Sequence, residues 1–143
     1  MSYIRFENIV KNFGQNEVLK NINLEIEKGQ LVTLLGPSGC GKSTLLRCLA
    51  GLENVTSGRV YLDGRDITDV NPKDRDIGMV FQQYSLFPNM TVEQNVAFGL
   101  KMKKTEKTVI KEKVKEILEV VGLSDKIKHY PSQLSGGQQQ RAA

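Results

Sequence analysis

Nine residues decide the fold of this chain: Gly36-Pro37-Ser38-Gly39-Cys40-Gly41-Lys42-Ser43-Thr44. They match the pattern G-x-x-x-x-G-K-[ST]. The apolar run at 31–35 precedes them, and a segment with helical character follows from about Lys42 to Ala50 and is closed by Gly51. The run predicts a strand buried on both faces, as occurs in the middle of an α/β sheet. Strand, glycine-rich loop and helix in this order predict a loop that binds phosphate groups.

The chemistry of a nucleoside triphosphate accounts for these residue types. Phosphate oxygens need several donors at short range, and Gly39 and Gly41 let the backbone curl with its N–H groups pointing inward. We predict that all nine residues contact the nucleotide. Lys42 would reach the β- and γ-phosphates and act in catalysis, and the Ser43 hydroxyl would bind Mg²⁺. A chance glycine-rich turn is the alternative, and it leaves the Lys-Ser-Thr at the helix start unexplained.

A second motif separates this chain from other triphosphate-binding proteins. It reads Leu134-Ser135-Gly136-Gly137-Gln138 and is followed by Gln139-Gln140-Arg141. With the upstream loop, it closely resembles the ATP-binding subunit of ABC transporters, and the resemblance extends over the whole chain. It implies an α/β fold: a P-loop NTPase core, an N-terminal antiparallel β subdomain and a helical subdomain that carries the signature motif. Residues 1–143 would form one incomplete nucleotide-binding domain, with the glutamine loop and helical subdomain inserted at about 84–135.

The resemblance also assigns roles to individual residues. Ser135, Gly136, Gly137 and Gln138 would close over the γ-phosphate held by a second subunit in a head-to-tail dimer, although a polar loop with a helix cap is an alternative. Phe13 stands where the family carries an aromatic ring, more commonly Tyr, that stacks on adenine. By itself it would be an ordinary aromatic. Gln82, rather than Gln83, matches the glutamine that contacts Mg²⁺ and the attacking water, which makes it a candidate catalytic and metal-binding residue.

The segment from Tyr84 to Val92 resembles its counterpart in importer ATPases. Tyr84, Leu86 and Phe87 would lie near the groove that receives a transmembrane permease subunit, and ordinary core positions are the alternative for each. His129 precedes the signature motif, whereas the switch histidine of the family follows it, so we interpret His129 as a surface residue. Residues 71–82 and 86–91 are similar to the importers of polyamines, sugars, ferric ion and related oxyanions, with the polyamine group favoured.

The family pattern continues with an apolar strand that ends in Asp-Glu, followed by the switch histidine. No acidic residue follows Asp125 here. We therefore expect the 143 residues to be the N-terminal part of a longer subunit, cut before the Walker B strand. The whole subunit would be a transport ATPase, and this part would bind ATP without hydrolysing it.

Composition places the chain among cytoplasmic globular proteins. Hydrophobic residues make up 39% of the sequence, and no run approaches the roughly 20 residues of a membrane span. We expect a cytoplasmic protein with two free cysteines, Cys40 and Cys48. The resemblance to ABC transporter subunits implies that it is peripheral on the inner face of the cell membrane. The net charge is +4, partly from lysines at 101–115. Interleaved glutamates favour a solvated helix face over a patch for lipid or nucleic acid, and no nucleic-acid partner is expected.

Hydrophobic periodicity predicts the remaining elements. Strands are expected at 3–10, 22–26 and 58–62, a hairpin turn at 63–64, and a second buried strand at 77–81. Helices are expected at about 92–100, with a Thr91/Gln94 capping box, at 106–121, and from Ser135 onward. The apolar face of the 106–121 helix would comprise Ile110, Val114, Ile117, Leu118 and Val121.

Two other functions compete with transport. A soluble ABC-class ATPase acting on DNA or ribosomes would share both motifs, although DNA-repair members insert coiled coils or zinc modules that this chain lacks. A protein that binds nucleotide without turnover would also carry them. The importer-like segment after Gln82 favours transport.

Overall fold

The structure, a computed structural model, describes residues 2–81 and 85–143. The chain forms two compact units, Met1–Met79 and Val80–Ala143. Each unit buries its own hydrophobic core.

The first unit is built on a four-stranded antiparallel sheet. Its strands are β1 (Ser2–Phe13), β2 (Asn16–Glu27), β3 (Ser57–Leu62) and β4 (Arg65–Asp66), in the order β2-β1-β3-β4. Tight turns join the paired strands: Gly14 has a φ of 59° after β1, and Asp63 and Gly64 have φ of 50° and 76° after β3. The strands predicted at 3–10, 22–26 and 58–62 and the hairpin turn predicted at 63–64 are thus confirmed.

One helix of the first unit, α1 (Lys42–Ala50), packs on this sheet. Its residues Leu45 and Cys48 are buried in a cluster completed by Phe6, Ile9, Leu19, Val60 and Ile67. Gly51 ends the helix with a φ of 76°, and its N–H donates to the carbonyls of Arg47 and Cys48. The predicted bounds of this helix and its glycine cap are confirmed.

The two predicted buried strands at 31–35 and 77–81 are wrong. Neither run is a strand, and Leu31, Leu35 and Val80 are 97%, 88% and 73% exposed. A parallel strand exists only where a neighbouring strand accepts and donates its backbone hydrogen bonds. Within residues 2–81 and 85–143, no strand pairs with either run. An apolar composition without a partner strand therefore leaves both segments outside the sheet.

The second unit is helical. It contains α2 (Val92–Met102), α3 (Lys107–Val120) and α4 (Gly136–Ala142), with short 3₁₀ turns at Ser124–Lys126 and Pro131–Gln133. Its core is made of Val92, Ala97, Ile110, Val114, Leu118, Leu123, Leu134 and Ala142. No helix in the described part of the chain has the length and apolar character needed to cross a membrane.

Local signals set the ends of these helices. Thr91 caps α2 by the predicted capping box with Gln94, and Gly122 follows α3 with a φ of 65°. The predicted apolar face of α3 is confirmed for Ile110, Val114 and Leu118, which are buried. It is wrong for Ile117, which is 44% exposed because it lies at the edge of that stripe.

Candidate functional site

The glycine-rich loop at 36–44 closes around the amino group of its own lysine. Lys42 Nζ donates to the carbonyl oxygens of Gly36 and Pro37, both at 2.8 Å, and lies 3.4 Å from Cys40 Sγ. Gly39 and Gly41 have φ of 81° and 93°, in the left-handed region that a Cβ would strain. The sequence prediction of a curled loop with Lys42 at its centre agrees with this geometry.

The N-termini of α1 and α3 lack a side-chain cap, whereas those of α2 and α4 have one. Thr91 caps α2 and Ser135 caps α4 with side-chain oxygens, whereas Gly41 precedes α1 and has no side chain to offer. Among the described residues, none places a side-chain cap on α1. The first N–H groups of α1, the helix that begins at Lys42, thus have no side-chain cap.

This arrangement suits an anionic group. The first turn of α1 contains no acidic residue, and residues 36–40 of the loop and Ser43 are exposed. A helix N-terminus and an ammonium both attract negative charge, and phosphate oxygens can replace the two carbonyls that now accept from Lys42. Within the described residues, no group of three or more His, Cys, Asp or Glu side chains could hold a metal ion by itself. The loop therefore fits a phosphate chain, and a cation would need the phosphates as further ligands.

The position of α1 is fixed at both ends. At its start, a Cβ added to Gly41 would lie 2.8 Å from Leu19 Cδ2 and 3.0 Å from the Val18 carbonyl oxygen of β2. Only glycine permits this close approach of the loop to the hairpin.

At the other end of α1, Arg75 makes an anchor that sequence reasoning missed. Its guanidinium donates to the carbonyls of Cys48 and Leu49 at the end of α1, both at 2.9 Å, and to those of Thr68 and Val70 at 2.9 and 2.8 Å. The residue is only 4% exposed, and burial lowers the pKa of its guanidinium. In the sequence, Arg75 stands within a strongly polar turn, and this context does not predict that its side chain is buried.

Phe13, the predicted adenine platform, ends β1 and is 46% exposed. The ammonium of Lys11 lies 4.7 Å from its ring centroid.

Gln82, the predicted catalytic and metal-binding glutamine, lies outside the described residues, as do Gln83 and Tyr84. Phe13 and the loop at 36–44 thus belong to one unit, whereas the signature motif belongs to the other.

The signature motif forms an exposed turn on a fixed base. Ser135 Oγ accepts from the Gln138 N–H at 3.3 Å, and Gln138 Oε1 accepts from the Ser135 N–H at 2.9 Å, which is a complete capping box. Ser135, Gly136 and Gly137 are exposed, whereas Leu134 just before them is buried. The predicted cap is confirmed, and it coexists with an exposed glycine pair.

Two further side chains hold this turn, and sequence reasoning missed both. Gln139 Nε2 donates to the carbonyls of Pro131 and Leu134 at 3.0 and 3.2 Å. Arg141 donates to the Val121 carbonyl at the end of α3, at 2.8 Å. Arg141 contacts a residue 20 positions earlier in the sequence, and Gln139 contacts residues that precede its own helix. Neither contact follows from a sequence periodicity.

The predicted partner-binding segment is organised by Asn95 of α2. Its side-chain amide N–H groups donate to the carbonyls of Phe87, Met90 and Thr91, and its oxygen accepts from the Phe87 N–H at 2.7 Å. Phe87 is 41% exposed and contacts Phe98, with ring centroids 4.5 Å apart. Leu86 instead packs against the core of its unit, which is the alternative foreseen for it.

Two further sequence predictions concern His129 and the lysines of α3. His129 is partly exposed, and its backbone carbonyl accepts from the Val92 N–H at 2.9 Å. The lysines of α3 are all exposed, in agreement with the predicted solvated face.

Comparisons with known proteins extend these findings. The family described as ABC transporter matches residues 19–143. The chain is 52% identical over 142 residues to the Fe(3+) ions import ATP-binding protein FbpC of Vibrio cholerae, which covers 99% of this chain and 40% of the relative. It is 54% identical to the sulfate/thiosulfate import ATP-binding protein CysA of Gloeobacter violaceus (98% of this chain, 41% of the relative). It is 51% identical to the spermidine/putrescine import ATP-binding protein PotA of Aggregatibacter actinomycetemcomitans (98% and 38%).

Solved structures give the same result. The dimeric structure of a bacterial ABC transporter cassette matches with a TM-score of 0.88 and 37% identity, over 97% of this chain and 66% of that one. A dimeric ATP-binding cassette in a post-hydrolysis state with ADP and Pi matches with a TM-score of 0.87, also at 37% identity and over the same shares. The α/β fold of such cassettes is thereby confirmed for this chain, which spans about 40% of the length of the curated relatives.

Proposed function

Because this chain belongs to the ABC transporter family, a family of ATPases, we propose that residues 36–44 bind the phosphates of ATP. One observation carries this proposal. The ammonium of Lys42 lies inside the loop, 2.8 Å from two backbone carbonyls, beside a helix start that lacks a side-chain cap. The phosphates of ATP would take the place of those carbonyls, and Lys42 would then neutralise charge at the β- and γ-phosphates.

Magnesium would enter this site with the nucleotide. Mg²⁺ prefers oxygen ligands and usually combines one or two protein groups with substrate phosphates and water. The exposed Ser43 hydroxyl in the first turn of α1 supplies such an oxygen, and we assign the second protein ligand to Gln82. The scarcity of clustered acidic side chains in the described residues fits a metal that arrives with ATP rather than a permanent protein cage.

The signature turn would serve a second nucleotide-binding subunit. Ser135, Gly136, Gly137 and Gln138 are exposed or half-buried on a base fixed by Gln139 and Arg141. We propose that this turn approaches the γ-phosphate of ATP bound by a partner subunit in a head-to-tail dimer. The two solved structures described above are dimeric, which supports this arrangement.

The whole protein would be the ATP-hydrolysing subunit of an importer, peripheral on the cytoplasmic face of the membrane. Residues 1–143 would form its nucleotide-binding domain, with about 84–135 inserted as the glutamine loop and helical subdomain. Phe87, exposed and fixed by Asn95, would contact a transmembrane permease subunit. The relatives named above import ferric ion, sulfate or thiosulfate, and polyamines, so the solute would belong to this range. The 143 residues alone would bind ATP without turnover.

Binding measurements on the chain test the phosphate site. Isothermal titration with Mg-ATP should give saturable binding, and Lys42→Ala should weaken it by about tenfold to a hundredfold because a charge-assisted contact is lost. Lys20→Ala removes an exposed lysine of β2 and is the matched control. It should change the affinity by less than about twofold. Equal affinities of Lys42→Ala and the unchanged chain would sink the proposal.

A further inference from the structure

Lys11 and Phe13 lie on the same side of β1 because they are two residues apart in a strand. The Lys11 ammonium lies over the Phe13 ring, 4.7 Å from its centroid, within the range of a cation–π contact. The ring is nevertheless 46% exposed. One face of the ring is thus occupied by a cation, while nearly half of the Phe13 residue remains open to solvent.

The cation is held in place by two further contacts. Lys11 Nζ donates to the Asn54 carbonyl at 2.7 Å and forms an ion pair with the Glu53 carboxylate at 3.3 Å. Its side chain is only 12% exposed. A lysine fixed by three groups has already lost its rotamer freedom, so its position over the ring is set before any ligand binds.

The loop that holds Lys11 is itself bound to β1. The Thr56 N–H donates to the Val10 carbonyl at 2.8 Å, and Thr56 Oγ1 accepts from the Asn12 N–H at 2.9 Å. The same loop begins at the end of α1, where the Leu52 N–H donates to the Arg47 carbonyl at 2.9 Å. The connection between α1 and β3 is therefore hydrogen-bonded both to the helix that follows the phosphate loop and to the strand that carries Phe13.

The start of α1 reaches the same hairpin. Gly41 lies against Leu19 of β2, and Leu19 pairs with Lys11 of β1. Phe13 is two residues further along β1, a distance of roughly 7 Å at the rise of a strand. The phosphate loop thus contacts the β1–β2 hairpin, whose strand β1 carries the aromatic ring.

From this geometry we propose that Lys11 is a positioning residue for nucleotide binding: its anchored ammonium holds one face of the Phe13 ring and leaves the other face for the base. The inference rests on the proposed function and deepens it, because it adds a residue that acts on the base and not on the phosphates. The ammonium also draws π-electron density toward its own face, which favours stacking of an electron-rich purine on the opposite face.

Two ligands separate this role from that of the phosphate loop. ATP carries both the base and the phosphates, whereas inorganic tripolyphosphate carries the phosphates alone. Lys11→Met in the full chain should weaken ATP binding by about threefold to tenfold and leave tripolyphosphate binding unchanged. Lys11→Arg keeps the cation over the ring and should restore most of the ATP affinity. In Phe13→Leu, where the ring is absent, adding Lys11→Met should cause no further loss.

Each other outcome counts against the inference. Equal weakening of ATP and tripolyphosphate by Lys11→Met would mean a general disturbance of the loop, and an unchanged ATP affinity would mean that the cation is irrelevant. Glu53→Gln provides a milder variant that loosens the lysine while keeping it, and it should reduce ATP affinity selectively by a smaller factor. If the unchanged chain binds tripolyphosphate but shows no added affinity for ATP, the inference fails while the phosphate site stands. If it binds neither ligand, the proposed function fails as well.

Discussion

The two cysteines of the first unit stand in opposite surroundings. Cys40 is exposed in the phosphate loop, and Cys48 is 1% exposed on the inner side of α1. Burial raises the pKa of the Cys48 thiol, so at neutral pH this group is both shielded and protonated. An alkylating reagent needs an accessible thiolate and should therefore discriminate between the two.

Thiol labelling gives a residue-level test of this environment. At pH 7 to 8, N-ethylmaleimide should modify Cys40 rapidly and leave Cys48 unmodified until denaturant is added. Peptide mass spectrometry identifies the site. Labelling of Cys48 at a rate similar to that of Cys40 in the native chain would show that α1 is not packed as described.

At the residue scale, the sequence predicted the members of the two motifs better than the residues that hold them in place. The glycines and Lys42 were identified because phosphate chemistry restricts residue types over a short stretch. Lys11 and Arg75 were missed since each contacts segments that are far from it in sequence and that only the folded chain brings together. An exposed-looking lysine and an arginine in a polar turn have no local pattern that reveals such contacts.

At the scale of elements, α1 is the part whose placement matters most for the phosphate loop. Arg75 binds the carbonyl end of α1 and the turn at 68–70 with one buried guanidinium. Arg75→Met would leave these buried carbonyls without a donor, and should reduce the local free energy of unfolding by about 3 kcal/mol. Native-state amide exchange at Ile9 and Val60, both buried in this unit, measures that loss.

An exposed arginine of the same unit supplies the comparison. Arg59 on β3 has a side chain that is 67% exposed and pairs only loosely with Asp66, at 3.7 Å. Arg59→Met should change the same exchange free energies by less than about 0.5 kcal/mol. A similar small effect for Arg75→Met would show that its four contacts do not hold the helix.

Elements with local determinants were predicted well, and those that need distant partners were not. The bounds of α1, the capping box at Thr91, the helix cap at Ser135 and the hairpin turn at 63–64 all depend on residues a few positions apart. The runs at 31–35 and 77–81 failed because a strand also needs a neighbour, which composition does not supply. Because this pairing is missing, leucine and valine side chains of both runs are exposed.

At the scale of the whole molecule, the two motifs fall in different compact units. The loop at 36–44 belongs to the β-rich unit, and the signature turn belongs to the helical one. The core of the first unit would hold the loop that binds the chain's own nucleotide. The core of the second unit would hold the turn that serves a partner subunit. This division agrees with membership of the ABC transporter family and with the dimeric state of its solved relatives.

A backbone amide titration with Mg-ATP, followed by nuclear magnetic resonance, tests the central claim most directly. Binding by the phosphate loop predicts that the largest shift changes occur at residues 36–45, with a second group around Phe13, and that they disappear in Lys42→Ala. Amides of α3, which carries the exposed lysines, should move little. Shift changes concentrated at the lysines of α3 and absent from residues 36–45 would contradict the account.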